Sequence, residues 1–281
     1  MPVAAPYIPA AYSLTAVGVW GTSDFLGGLG VRRANAFLFT AIVHVSGMVV
    51  VGAIALLTHA PFPGVASLLW SLAAGSLAGL SLVFFYRALA QGNMGLIAPV
   101  AAVLSAAIPT IVGAFSEGFP DARRVLGFIL AAVGVWLISR TEAASGRPQG
   151  LAAAVLAGAG FAGFYLCTHR AGTASAFWVA TCSRFASFLI TGTIVVFGRH
   201  LRTLAAPVLT IAVAVGILDV GGSVAFIRAA QVGRLDAAVV LSSLYPAVTV
   251  VLARVFLHEH FSRARTIGMV AALAAVPMIA G

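Results

Sequence analysis

Phe85-Tyr86-Arg87-Ala88-Leu89-Ala90-Gln91-Gly92 returns 141 residues later as Phe226-Ile227-Arg228-Ala229-Ala230-Gln231-Val232-Gly233. Phe, Arg, Ala and the closing Gly keep their places. Working outward, Glu117-x-Phe119 recurs as Glu259-x-Phe261 with a one-residue slip, and Arg124, Gly127 and Ala131 return as Arg265, Gly268 and Ala272. Each match is short, but their common order and offset mark a duplication. Each half carries a helix, a glycine turn, a helix, Glu-x-Phe and another helix.

Composition decides what these helices face. Of 281 residues 61% are hydrophobic and 8% charged, against about 25% charged in an ordinary soluble domain. So few charges leave a water-facing exterior uncovered, so the outside faces lipid. The net charge of +9 comes entirely from arginine, for the chain has no lysine. The arginines sit singly or in pairs between apolar runs, as in loops flanking membrane helices, and form no stripe for nucleic acid. Met1–Ala10 lacks a basic region ahead of its first apolar run, so no cleaved signal peptide is expected.

A hydrocarbon core of about 30 Å needs roughly 20 apolar residues per crossing. Such runs fall at 10–31, 36–58, 65–88, 95–116, 123–139, 150–169, 175–197, 207–228, 235–257 and 265–280. They are unbroken rather than alternating, which excludes a β-barrel. The expected fold is an all-α polytopic membrane protein with ten transmembrane helices. It divides into a first repeat, 1–140, a polar linker, 141–149, and a second repeat, 150–281. Five crossings per half is an odd number, so the second repeat enters the membrane upside down. Inverted repeats that rock about a site between them are the architecture of many secondary transporters.

At these residues the chain resembles the EamA-type branch of the drug/metabolite transporter superfamily. The resemblance rests on Trp20-Gly21, Phe85 to Gly92, Ala98-Pro99 and Glu117 in the first half. In the second half it rests on Leu241-x-x-Leu244-x-Pro246-x-x-Thr249, Phe256-Leu257-x-Glu259 and Gly268-Met269. It covers essentially the whole chain. It implies ten helices and the movement of a small metabolite, such as an amino acid, across the cell membrane, with export favoured. The chain departs from the family's Gly-Glu at Ser116-Glu117 and His258-Glu259, and lacks a first-half proline matching Pro246.

An ionisable side chain inside a membrane helix costs about 2.5–3.5 kcal/mol on insertion scales, so its first reading is functional. Asp219, Asp24, Arg184 and His44 qualify. In one reading Arg184 pairs with Asp219 or Asp24 and fixes helix register. In the other its fork of donors receives a substrate carboxylate, and one Asp binds an amine or exchanges a proton. His44 reads first as a hydrogen-bonded core residue. Among the aromatics Trp20, Tyr245, Tyr86 and Tyr165 are cavity candidates, and Trp178 belongs to an interfacial belt. Carboxylates are unfavourable at helix C-termini, so Glu117 and Glu259 are expected to pair with Arg123, Arg124, Arg263 or Arg265, or to cap the following helix, in a structural or gating role. Pro99, Pro109 and Pro246 free backbone carbonyls and mark kinks available for gating.

No catalytic constellation is visible. Gly21-Thr22-Ser23-Asp24-Phe25 misses the fifth glycine of a nucleophile elbow, and His258-Glu259-His260 lacks zincin spacing. Cys167 and Cys182 read as small core residues. Without lysine there is no P-loop, so this chain alone does not pump with ATP. No metal or cofactor is expected. The expected partners are a small-molecule substrate, the lipid bilayer and a coupling ion, protons or another, with no nucleic acid; a homo-oligomer is left open. The rivals are a membrane scaffold or receptor and, further off, an intramembrane enzyme. Loops joining odd to even helices hold nine arginines against five on the opposite side. That bias would put both termini outside, whereas the resemblance implies both in the cytoplasm.

Overall fold

The computed structural model describes residues 7–91, 94–139, 151–258 and 262–280, without the side chains of 86–91, 94–99, 139 and 265. Among the described residues the secondary structure is helical throughout. The helices are α1 (Ile8–Val31), α2 (Ala36–Leu57), α3 (Val65–Gln91), α4 (Met94–Glu117), α5 (Ala122–Ser139), α6 (Leu151–Arg170), α7 (Ala176–Phe197), α8 (Ala206–Val232), α9 (Leu235–Ser242), α10 (Tyr245–Leu257) and α11 (Arg263–Ala280). Among the described residues seven spans are long and apolar enough to cross a membrane: α2, α3, α4, α6, α7, α8, and α9 with α10 taken together. Leu69, Phe115, Leu126, Val270 and Leu273 point outward and exposed, as lipid-facing side chains do. The chain is a multi-pass membrane protein.

Two expected ends move. α3 and α8 run on to Gln91 and Val232, past the expected ends at 88 and 228. Arg228 does not stop α8, because it stays exposed and donates to Gln231 Oε1 within the same helix. The expected span 235–257 is a single crossing made of two helices. Pro246 has no N–H to return to Ser242, so the ladder tightens to three-residue steps there. Leu244 N–H donates to the Leu241 carbonyl and Ala247 N–H to the Leu244 carbonyl.

Elsewhere local chemistry sets the ends. Asn35 caps α2, its Oδ1 accepting from Phe37 N–H at 3.0 Å and Leu38 N–H at 3.2 Å. α2 and α7 stop alike. His59 (φ 50°) and Arg199 (φ 53°) turn left-handed, and the next N–H, of Ala60 or His200, reaches back 2.9 Å to the carbonyl of Ala55 or Val195. Such a backward bond satisfies an orphan carbonyl at the helix end.

Packing follows small residues, as expected where lipid removes the hydrophobic incentive between helices. α5 crosses α11 backbone to backbone. A Cβ on Gly134 would stand 2.9 Å from the Gly268 carbonyl oxygen, and one on Gly268 2.8 Å from that of Gly134. α1 runs antiparallel to α8: Pro9 lies against Gly233, Trp20 against Gly222, and Ser23 Oγ donates to the Val215 carbonyl. α2 lies antiparallel to α7 and parallel to α8, and α3 packs on both α6 and α7. These contacts surround one central space.

Candidate functional site

The helices enclose a cavity of about 670 Å³. α1 contributes Trp20, Ser23 and Asp24, α2 His44, α4 Ser105, α6 Phe161, Phe164 and Tyr165, α7 Arg184, α8 Asp219 and Ser223, and α10 Tyr245, Pro246 and Thr249. From this middle zone the lining continues to Val31 at the end of α1, Phe39 at the start of α2, Phe85 late in α3 and Ile138 at the end of α5. The space therefore extends towards the ends where odd helices pass to even ones. In the other direction it stops on Phe226, Ile227, Ala229, Leu235 and Ala171, each no more than 1% exposed.

Charge inside the cavity is organised by Arg184. Its Nη2 lies 2.8 Å from Asp219 Oδ2 and donates to Ser223 Oγ, while Nη1 faces His44 Nδ1 at 3.4 Å. A guanidinium has only donors, so His44 presents an unprotonated nitrogen to it. Ser223 Oγ donates onward to the Asp219 carbonyl at 3.1 Å, which also accepts Trp20 Nε1–H at 3.0 Å. Of the two aspartates that the sequence offers Arg184 as a partner, Asp219 is the one it meets. Asp24 lines the same cavity with no protein hydrogen bond or ion pair on its carboxylate.

The aromatic candidates converge as well. Trp20 stacks on Phe226 with centroids 6.1 Å apart, meets Tyr245 edge-on at 6.1 Å and lies 6.3 Å from Tyr165. Tyr165 packs on Phe226 at 4.7 Å. Phe226, the residue that opens the second copy of the repeated motif, is fully buried beneath Trp20, Tyr165 and Phe164.

Glu117 lies elsewhere, and with other partners than expected. It caps neither α5 nor an arginine on it. Its Oε2 accepts Leu235 N–H at 3.0 Å, which caps α9, and its Oε1 stands 3.6 Å from His169 Nε2. Arg234 donates to the carbonyls of Glu117 (3.1 Å) and Gly118 (2.6 Å) and pairs with the fully buried Asp236 at 2.7 Å. Beside it Gln231 Nε2 donates to Gly172 and Ala174, 2.8 Å each. Arg124 turns instead to Asp121, and Arg123 to the Pro277 carbonyl. A glutamate at one helix's C-terminus thus satisfies another helix's N-terminus. This cluster ties α4, α6, α8 and α9 together at the end where the cavity is shut.

Pro246 lines the cavity at the α9–α10 break. Pro109 is buried in α4, which runs unbroken past it and past Pro99. Trp178 donates to the Ala60 carbonyl at 2.9 Å. The side chains of Tyr86, Pro99 and Arg265, all of Glu259 and the linker 141–149 lie outside the described residues. Ser223 and Asp236 escaped the sequence reading. Serine is commonplace in such helices, while Asp236, two residues after Arg234 at the edge of an apolar run, reads as a loop charge. Among the described residues no group of three metal-ligating side chains occurs.

No curated protein matches the chain. A solved structure described only as the crystal structure of a protein, 19% identical, superposes with a TM-score of 0.80 over 96% of this chain and 95% of its own, which establishes a shared fold. The model of the EamA-like transporter family matches residues 148–281, the half that supplies Arg184, Asp219, Tyr165, Phe226 and Pro246. Over that half the chain is similar to the EamA-like transporter family.

Proposed function

We propose that the chain is a secondary transporter of the cytoplasmic membrane. It moves a small metabolite, an amino acid or related solute, by alternating access, with export the favoured direction and an ion such as the proton as coupling partner. The observation that carries the reading is a mid-bundle cavity holding Asp24, Arg184 and Asp219, continuous with one end of the bundle and shut at the other. A scaffold has no use for intramembrane charges around a space of that size. Among its described lining residues the cavity holds an ion pair and a bare carboxyl group, and these show no arrangement of nucleophile, base and orienting group for an enzyme.

Alternating access needs two halves that can exchange roles, and the reading takes 1–140 and 150–281 as inverted repeats. Support comes from helix pairing. Advancing each helix by five, with α9 and α10 as one, turns α1 on α8 into α6 on α3 and α3 on α7 into α8 on α2. α2 on α7 and α5 on α11 map onto themselves. Details follow the same rule. Gly75 of α3 lies against the Ser183 carbonyl of α7, as Gly216 of α8 lies against the Val43 carbonyl of α2. His44 and Arg184 hold matching places in α2 and α7, as do the left-handed ends His59 and Arg199. Self-paired helices that run antiparallel, α2 with α7 and α5 with α11, are what a two-fold axis in the membrane plane produces. Both termini are assigned to the cytoplasm, which a reporter fused after Gly281 tests directly.

The deciding experiment is flux. Purified protein reconstituted into liposomes is expected to exchange labelled amino acids or related solutes saturably across the bilayer. Absence of saturable movement across a broad solute panel returns the chain to the scaffold or enzyme readings.

A further inference from the structure

We propose that the cavity selects a small organic cation, a protonated amine or quaternary ammonium, with Asp24 as its counter-ion. This rests on the transporter reading for its physiological meaning, but not for the chemistry. Among the described residues lining the cavity, Arg184 and Asp219 neutralise each other at 2.8 Å, and His44 faces the guanidinium as an uncharged acceptor. What remains is one carboxyl group, that of Asp24, with no protein partner among the described residues.

The Asp24 side chain is exposed to the cavity, so a cation entering there meets a carboxylate that no protein group already engages. The surroundings suit one. Tyr165 and Tyr245 line the same cavity as Asp24, and Trp20, one turn earlier on α1, meets both. Aromatic faces attract a cation and keep water away from it. A solute carboxylate finds no such welcome. Arg184, the one described cation in the lining, already gives Nη2 to Asp219 and Ser223 and turns Nη1 to His44. Recognition therefore centres on a positive nitrogen carried on an apolar body.

Four probes with one aromatic body and different charge separate the alternatives: phenylethylamine, phenylethanol, phenylacetate and phenylalanine. Binding to the purified full chain is read by calorimetry, without transport. Phenylethylamine is expected to bind roughly tenfold or more tighter than phenylethanol, one decade in Kd being a modest share of a desolvated charge contact. In Asp24→Asn that advantage disappears while phenylethanol binding stays, and Asp24→Glu retains most of it. The wild-type ranking stands as a test even where a variant folds poorly. The inference is overturned by no amine binding, by tighter binding of phenylacetate or phenylalanine than of the amine, or by amine binding that ignores Asp24→Asn. Saturable amino acid flux with no amine binding sinks this inference and keeps the transporter reading. Asp24-dependent amine binding without any flux does the reverse.

Discussion

Arg184 of α7 and Asp219 of α8 meet at 2.8 Å inside the bundle, and the Asp219 backbone carbonyl takes a further bond from Trp20 of α1. The pair connects three helices at the level of the cavity, so its charge and its geometry are tied together. Breaking a buried pair from one side leaves a stranded charge, which costs about 3–5 kcal/mol. Removing both partners costs far less.

The first prediction follows from that asymmetry. Arg184→Gln and Asp219→Asn are each expected to lower the thermal unfolding temperature in detergent by several degrees. The double variant is expected to recover most of the loss. Equal and additive losses would mean that the two side chains act independently and that the ion pair contributes little to holding α7 on α8.

Close approach gives a second prediction, because glycine matters only where a neighbour occupies the space a side chain would take. A Cβ on Gly75 would overlap the Ser183 carbonyl, and one on Gly216 the Ser46 hydroxyl and the Val43 carbonyl, whereas one on Gly18 would meet nothing within 4 Å. Gly75→Ala and Gly216→Ala are expected to destabilise by about 1–3 kcal/mol, the usual cost of overpacking. Gly18→Ala is expected to be neutral or stabilising by up to about 1 kcal/mol from helix propensity alone. Unfolding curves of the three variants check the contrast. Equal behaviour would remove the basis for matching the α3–α7 and α8–α2 crossings.

The helices were legible because hydrophobic runs and their breaks report length directly, and most ends fall within two residues of expectation. The cavity residues were legible for a related reason. Asp24, His44, Arg184 and Asp219 are too costly in lipid to be incidental, and all four line the same space. What could not be read is which charges meet. Arg184 could reach either aspartate on sequence grounds, and only the rotation of α1 against α7 and α8 leaves Asp24 bare. Glu117 shows the same limit. Its cap on α9 joins positions 118 residues apart, so no local spacing announces it. The break at Pro246 was half visible. Proline signalled a disturbance, but separate helices on either side depend on where the Ser242 carbonyl turns.

The third prediction concerns the shut end. Arg234 bonds the carbonyls of Glu117 and Gly118 and the carboxylate of Asp236, so it clasps the C-terminus of α4 to the turn between α8 and α9. Glu117 in turn approaches His169 on the last turn of α6. If this clasp keeps solvent from the cavity, cutting it exposes what lies just behind. Cys167, two residues before His169, is buried and free, and serves as a native reporter. With Cys182 replaced by serine, Arg234→Ala is expected to raise the rate at which a membrane-impermeant maleimide labels Cys167 severalfold. Glu117→Gln, which keeps an acceptor for Leu235 N–H but loses the charge, is expected to do so by less. Mass spectrometry of the labelled protein gives the rates, with circular dichroism confirming that helix content is kept. An unchanged rate in Arg234→Ala would show that the packed floor around Phe226, Ile227 and Leu235 seals this end without the polar clasp, and the gating role of Arg234 and Glu117 would fall.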